Sequence, residues 1–100
     1  MTRDQFLARL AELYDANLAI AKTKNADYAD DDPFKNFRQC EHLGLAPVGV
    51  GIAVRMSDKL ARISNLLSRP AEVADESVGD TLSDLANYAM ILRVWLEQPR

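Results

Sequence analysis

The chain is short of cysteine, of positive charge and of long apolar runs, and each lack excludes something. Cys40 is the only cysteine in 100 residues, so no internal disulfide can form and no zinc cluster is possible. The formal net charge is −3, which gives no footing for sequence-independent binding to nucleic acid. The opening residues, MTRDQFLARL, lack the apolar stretch of a signal peptide, and no segment is long enough to span a membrane. A reducing cytoplasm is the expected compartment, with neither nucleic acid nor membrane as partner.

What is present suits a folded globular chain. Hydrophobic residues make up 48% and charged residues 27%, which argues against disorder. The length fits one domain, residues 1–100, with a modest core and little depth for an enclosed active site.

The pattern is helical throughout. Thr2 and Gln5 read as a capping box. Phe6, Leu10, Leu13, Asn17, Ile20 and Lys24 then follow at helical spacing to about residue 24, flanked by Leu7, Tyr14 and Leu18. Within that stripe Lys24 is either a snorkelling helix-end lysine or a ligand contact. The acidic stretch over residues 25–33 predicts a loop, with Asp30, Asp31 and Asp32 solvated and lacking the spacing of a calcium loop. A short helix from Pro33 to Leu43 should end at Gly44, and Pro47 should open another that runs to about Leu67. The last helix is expected to start between Pro70 and Asp75 and to reach Leu96. No period-two pattern, repeat or low-complexity segment interrupts this, so the chain is read as all-α: a bundle of three long helices and one short one.

Two polar strips stand beside apolar faces. In the third helix Ile52, Met56, Leu60, Ile63 and Leu67 form the expected apolar face, with Arg55, Asp58, Arg62 and Asn65 beside it. In the fourth, Val78, Leu82, Leu85, Ala89, Leu92 and Leu96 form the expected apolar centre, with Glu76, Asp80, Asp84 and Asn87 on another strip. Taken alone, such strips are commonly solvated salt-bridge ladders. The segment LANYAMILRVWL is apolar nearly all round, which implies burial on most sides and assembly into an oligomer through this helix.

In combination, KNADY, NF, RMSDKLARISNLL and DESVGDTLSDLANYA resemble the small, often phage-encoded nucleotide modification associated domains. These in turn are similar to the MazG-like all-α nucleoside triphosphate pyrophosphohydrolases. The resemblance covers about Lys24 to Leu92 and implies a homodimer or homotetramer that uses Mg²⁺ to cleave a nucleoside triphosphate into monophosphate and pyrophosphate. It would act in the cytoplasm, the host's if the chain is phage-encoded. Asp58, Glu76 and Asp80 would be the metal ligands. Asp84 would be a further ligand or would orient the attacking water. The match has two departures: Arg55 stands where an ExxE motif would begin, and Glu76 and Asp80 are four residues apart where three is the pattern.

Residue chemistry accords with that role. Mg²⁺ needs one or two carboxylates besides substrate phosphates. Lys59, Arg62 and Arg55 suit phosphate oxygens, the arginines by their bidentate fork. Lys24, Asn25, Asp27, Asn36 and Asn87 are candidates for substrate binding. Tyr28, Phe34 or Phe37 could stack on a base, although core packing is the commoner fate of such rings. Cys40 and His42 have no partner at ligand spacing. Two other readings remain: a nucleotide-binding protein without turnover, serving as sponge or regulator, and a structural helical module that binds a partner.

Overall fold

The structure, a computed structural model, describes residues 1–28, 31–69 and 78–99, the side chains of residues 27 and 28 apart. Helix α1 spans Arg3–Tyr28. It opens on the expected capping box: the Gln5 amide donates to Thr2 Oγ1 at 3.1 Å, and the Thr2 amide donates to Gln5 Oε1 at 2.9 Å. The helix does not stop at Lys24. Asn25 to Tyr28 remain helical, so KNADY is the last turn of α1 where a loop was expected. Asn and Asp cost a helix interior only a few tenths of a kcal/mol relative to average residues. Asn25 also finds a tertiary partner, donating from Nδ2 to the Pro33 carbonyl at 3.1 Å. The described part of the acidic loop is thereby confined to residues 31–34.

Helix α2, Lys35–His42, begins two residues after Pro33. Asp32 sets that start: its Oδ1 accepts the Phe34 amide at 3.0 Å, and its carboxylate pairs with Arg38. Asp32 therefore forms an Asx turn that leads into α2, with Phe34 as the N-cap, where a solvated loop residue was expected. At the other end Gly44 takes φ +73°. The Leu45 amide donates to the Cys40 carbonyl at 2.9 Å and the Gly44 amide to the Glu41 carbonyl at 3.0 Å, which is a Schellman motif.

Helix α3, Val48–Ser68, follows Pro47 as its N-cap. Proline has no side-chain acceptor, and Glu41 of α2 substitutes, its Oε2 accepting the Val48 amide at 3.3 Å. Helix α4 spans Val78–Leu96; its expected start between Pro70 and Asp75 lies outside the described residues. No strand occurs among the described residues, and no helix among them is long and apolar enough to cross a membrane.

Helices α3 and α4 pack antiparallel, with Gly49 close to Leu92 and Trp95 at one end and Lys59 against Asp84 further along. The core is small: Phe34, Val48, Ile52, Ile63 and Leu66, with Thr81. Burial of one such aliphatic side chain is worth about 1.5–3 kcal/mol. The faces differ from those read in the sequence. On α3, Leu60 and Leu67 are exposed at 59% and 72%; the buried side is turned toward Val48, Lys59 and Leu66. On α4, Val78, Leu82 and Leu96 are exposed, and the packed side runs through Thr81, Asp84, Tyr88, Leu92 and Trp95. Because α4 is apolar nearly all round, its pattern could not choose between these sides.

Aromatic contacts tie α2 to α4. The Phe34 and Trp95 rings meet edge to face at 5.1 Å, and the Arg38 guanidinium lies 5.1 Å from the centre of the Trp95 ring. Helix α1 lies outside this unit against α4 and leaves Phe6, Leu13 and Ile20 exposed.

Candidate anion-binding groove

Helices α1, α2 and α4, with Arg55 from α3, line a groove of about 1060 Å³. Its chemistry centres on Asp84. On α3 each residue turns by about 100°, so Lys59 falls on the side packed against α4, in line with Ile52 and Ile63. Lys59 Nζ reaches Asp84 Oδ2 at 3.1 Å. From α1, Lys24 Nζ reaches Asp84 Oδ1 at 3.3 Å. Three helices thus converge on one carboxylate. Burial pushes the Asp84 carboxyl up, but hydrogen bonds from Lys59 and Lys24 outweigh this and hold it below its ordinary value.

Two asparagines fix α1 against α4. Asn17 Nδ2 donates to the Ser83 carbonyl at 3.4 Å, and Asn87 Nδ2 donates to the Asn17 carbonyl at 3.2 Å. This explains the polar break that Asn17 makes in the α1 stripe: its side chain donates to the α4 backbone and its own carbonyl accepts from an α4 side chain, and its polarity in the stripe was the only sign of it.

The sequence candidates divide into four groups. Lys24, Asn25, Arg55, Asp84 and Asn87 line the groove, and so do Asn36 and Phe37 of α2. Lys59 touches Asp84 from behind. Phe37 packs edge to face on Tyr88 at 6.3 Å, and Phe34 is buried in the core, so neither ring stands free in the groove. Asp58, Arg62 and Asp80 are exposed and are not part of the groove lining. Asp58 precedes Lys59 and so turns away from the seam by about 100°. The side chains of Asp27 and Tyr28 and the whole of Glu76 lie outside the described residues. Tyr14, Lys22 and Met90 also line the groove; Tyr14 was visible in the sequence only as a flank of the apolar stripe.

As for metal, Asp80 and Asp84 stand one turn apart on α4, and Asp84 is an ionised hard-oxygen donor, the type Mg²⁺ takes. Among the described residues, no three or more His, Cys, Asp or Glu side chains are grouped so as to hold a metal. Compared with known proteins, the chain matches no family model, no curated protein and no solved structure.

Proposed function

We propose that the groove binds a nucleoside or deoxynucleoside triphosphate and, with Mg²⁺, hydrolyses it to monophosphate and pyrophosphate. The observation that carries this reading is the convergence of Lys24 and Lys59 on Asp84 beside a groove also lined by Arg55. Such an arrangement supplies cations for phosphate oxygens and an ionised carboxylate for a metal or a water. The groove's volume is at the upper end of what small-molecule sites have, and Asn25, Asn36 and Tyr14 offer hydrogen-bonding and apolar surface for base and sugar.

In this reading Lys24 and Arg55 hold the phosphate chain, Arg55 by its bidentate fork. A water oxygen adds to the α-phosphorus as the α–β bridging P–O bond breaks, and pyrophosphate leaves with that bond's electrons. The water's protons pass to solvent. Asp84, kept ionised below its ordinary value, is a weak base and acts as the acceptor that orients the water. Asp84, with Asp80 one turn away on α4, would hold Mg²⁺. Mg²⁺, when bound, neutralises charge on the phosphate oxygens.

A second reading, nucleotide binding without turnover, is favoured by Arg55. It lines the groove at the position where an ExxE motif would place a carboxylate, which adds a phosphate contact and removes a metal ligand.

A panel of ribo- and deoxyribonucleoside triphosphates with Mg²⁺, with monophosphate and pyrophosphate both assayed, tests the first reading. Tight binding by calorimetry with no product leaves the second. If no nucleotide binds and none shifts the melting temperature, both fall.

A further inference from the structure

We propose that Lys24 is a latch on Asp84. In the free chain its ammonium group closes the carboxylate to a divalent cation, and a polyphosphate in the groove opens it by drawing Lys24 away. This rests on the triphosphate reading above and adds an order to it: Asp84 becomes available to a cation only once the groove holds its anion.

Both oxygens of Asp84 are taken. Lys24 Nζ lies 3.3 Å from Oδ1 and Lys59 Nζ 3.1 Å from Oδ2. A hard cation such as Mg²⁺ binds through a carboxylate oxygen, and here each oxygen carries an ammonium group whose charge repels it. The two lysines are not alike, however. Lys59 is 27% exposed and is not part of the groove lining, whereas Lys24 is 54% exposed and lines the groove together with Asp84. An ion pair so open to water holds weakly. The flexible four-carbon stem of Lys24 can also turn its charge to a new partner without moving α1. Lys59, packed in the α3–α4 seam, stays on Oδ2. A carboxylate fixed by a hydrogen bond on one oxygen is oriented to give the other to a metal.

The sign of the groove sets the order. Among the described residues its charged lining is Lys22, Lys24 and Arg55 against Asp84 alone. This surplus of positive charge draws in a polyanion and turns away a bare divalent cation. A polyphosphate then carries several negative charges against the single one of Asp84, so it wins the exposed lysine. Lys24 leaves a weak pair for a stronger one. Asp84 keeps Lys59 on one oxygen and offers the other to the groove.

Mn²⁺ alone, followed by its electron paramagnetic resonance signal, probes the closed state with no nucleotide present. Lys24→Met should bind Mn²⁺ about tenfold or more tightly than wild type, the effect of removing one adjacent like charge. Adding Asp84→Asn to that variant should abolish the gain. The same Lys24→Met change should weaken binding of inorganic tripolyphosphate. One substitution thus acts with opposite sign on two ligands, which the loss of a merely structural contact would not produce. Lys24→Gln, which drops the charge and keeps a donor, replaces Lys24→Met if the latter loses its helical circular dichroism. The opening step is read in metal-free wild type, where tripolyphosphate should shift the side-chain carboxyl carbon resonance of Asp84. Wild type that binds Mn²⁺ alone as tightly as the folded Lys24 variants overturns the latch. So does tripolyphosphate that saturates the chain and leaves the Asp84 resonance in place, and in either case hydrolysis of a triphosphate can still stand. If tripolyphosphate does not bind at all, the triphosphate reading falls and the opening step falls with it.

Discussion

Lys59 of α3 and Asp84 of α4 meet at 3.1 Å across the helix seam, their side chains only 27% and 26% exposed. Lys24, reaching the same carboxylate from α1, is 54% exposed. Removing Lys59 leaves the partly buried Asp84 with only the more exposed Lys24, whereas removing Lys24 leaves it with its more buried partner. Lys59→Met should therefore destabilise the fold by about 1–2 kcal/mol, and Lys24→Met by less than about 1 kcal/mol. Urea unfolding followed by circular dichroism gives both values. An equal effect of the two would show that burial does not separate them.

The same pair predicts a pH dependence. The folded Asp84 carboxyl lies below its ordinary value, so the unfolded chain takes up the proton first as pH falls. The stabilisation is complete above the unfolded value of about 3.9 and is lost as pH drops through the folded value. The stability difference between wild type and Asp84→Asn should be largest near neutrality and shrink below about pH 4. Denaturant midpoints across that range measure it; a constant difference would contradict the assignment.

Phe34 anchors α2. It is 6% exposed and meets the Trp95 ring at 5.1 Å. In so small a core, Phe34→Ala should cost about 3–5 kcal/mol, a large share of the stability of a domain this size. Thermal melts should show a steep loss of Tm, and loss of near-ultraviolet signal from Trp95 should accompany it.

Gly51 offers the opposite sign. A Cβ built there would sit 3.7 Å from Cys40 Cβ, an ordinary contact, and the residue lies within α3. Gly51→Ala should raise stability by up to about 1 kcal/mol. A fall in denaturant midpoint would mean that α2 and α3 cannot absorb the methyl group.

For the proposed function, Lys24→Ala and Arg55→Ala should each weaken triphosphate binding about tenfold or more, the worth of one charged hydrogen bond. Asp80→Asn and Asp84→Asn should lower kcat about a hundredfold with the helical signal retained. Calorimetry and product assays read these separately. Unchanged affinity in both cation variants would place the phosphates elsewhere.

Local chemistry was legible along the chain. Thr2 with Gln5, Gly44 and Pro47 marked helix ends because caps and left-handed glycines act over a few residues, and those ends formed near their expected positions. The end of α1 was misjudged for the converse reason: Asn25 and Asp27 favour turns locally, but Asn25 is held in the helix by the Pro33 carbonyl, a contact invisible in sequence. Among site residues, Lys24, Asp84 and Asn87 could be marked as polar intrusions near apolar stripes. Lys59 was marked only as a cation within a motif, with no sign that it would be half-buried.

The sequence by itself determined that this chain is helical and where most helices begin and end, since capping, proline geometry and 3.6-residue spacing are properties of neighbours. Only the tertiary structure decided which side of each helix faces inward. Helix α4 has apolar residues nearly all round, so many rotations would bury similar area. The side taken is the one that closes Trp95 onto Phe34 and Gly49, and gives Asp84 the two lysines without which its charge could not be half-buried.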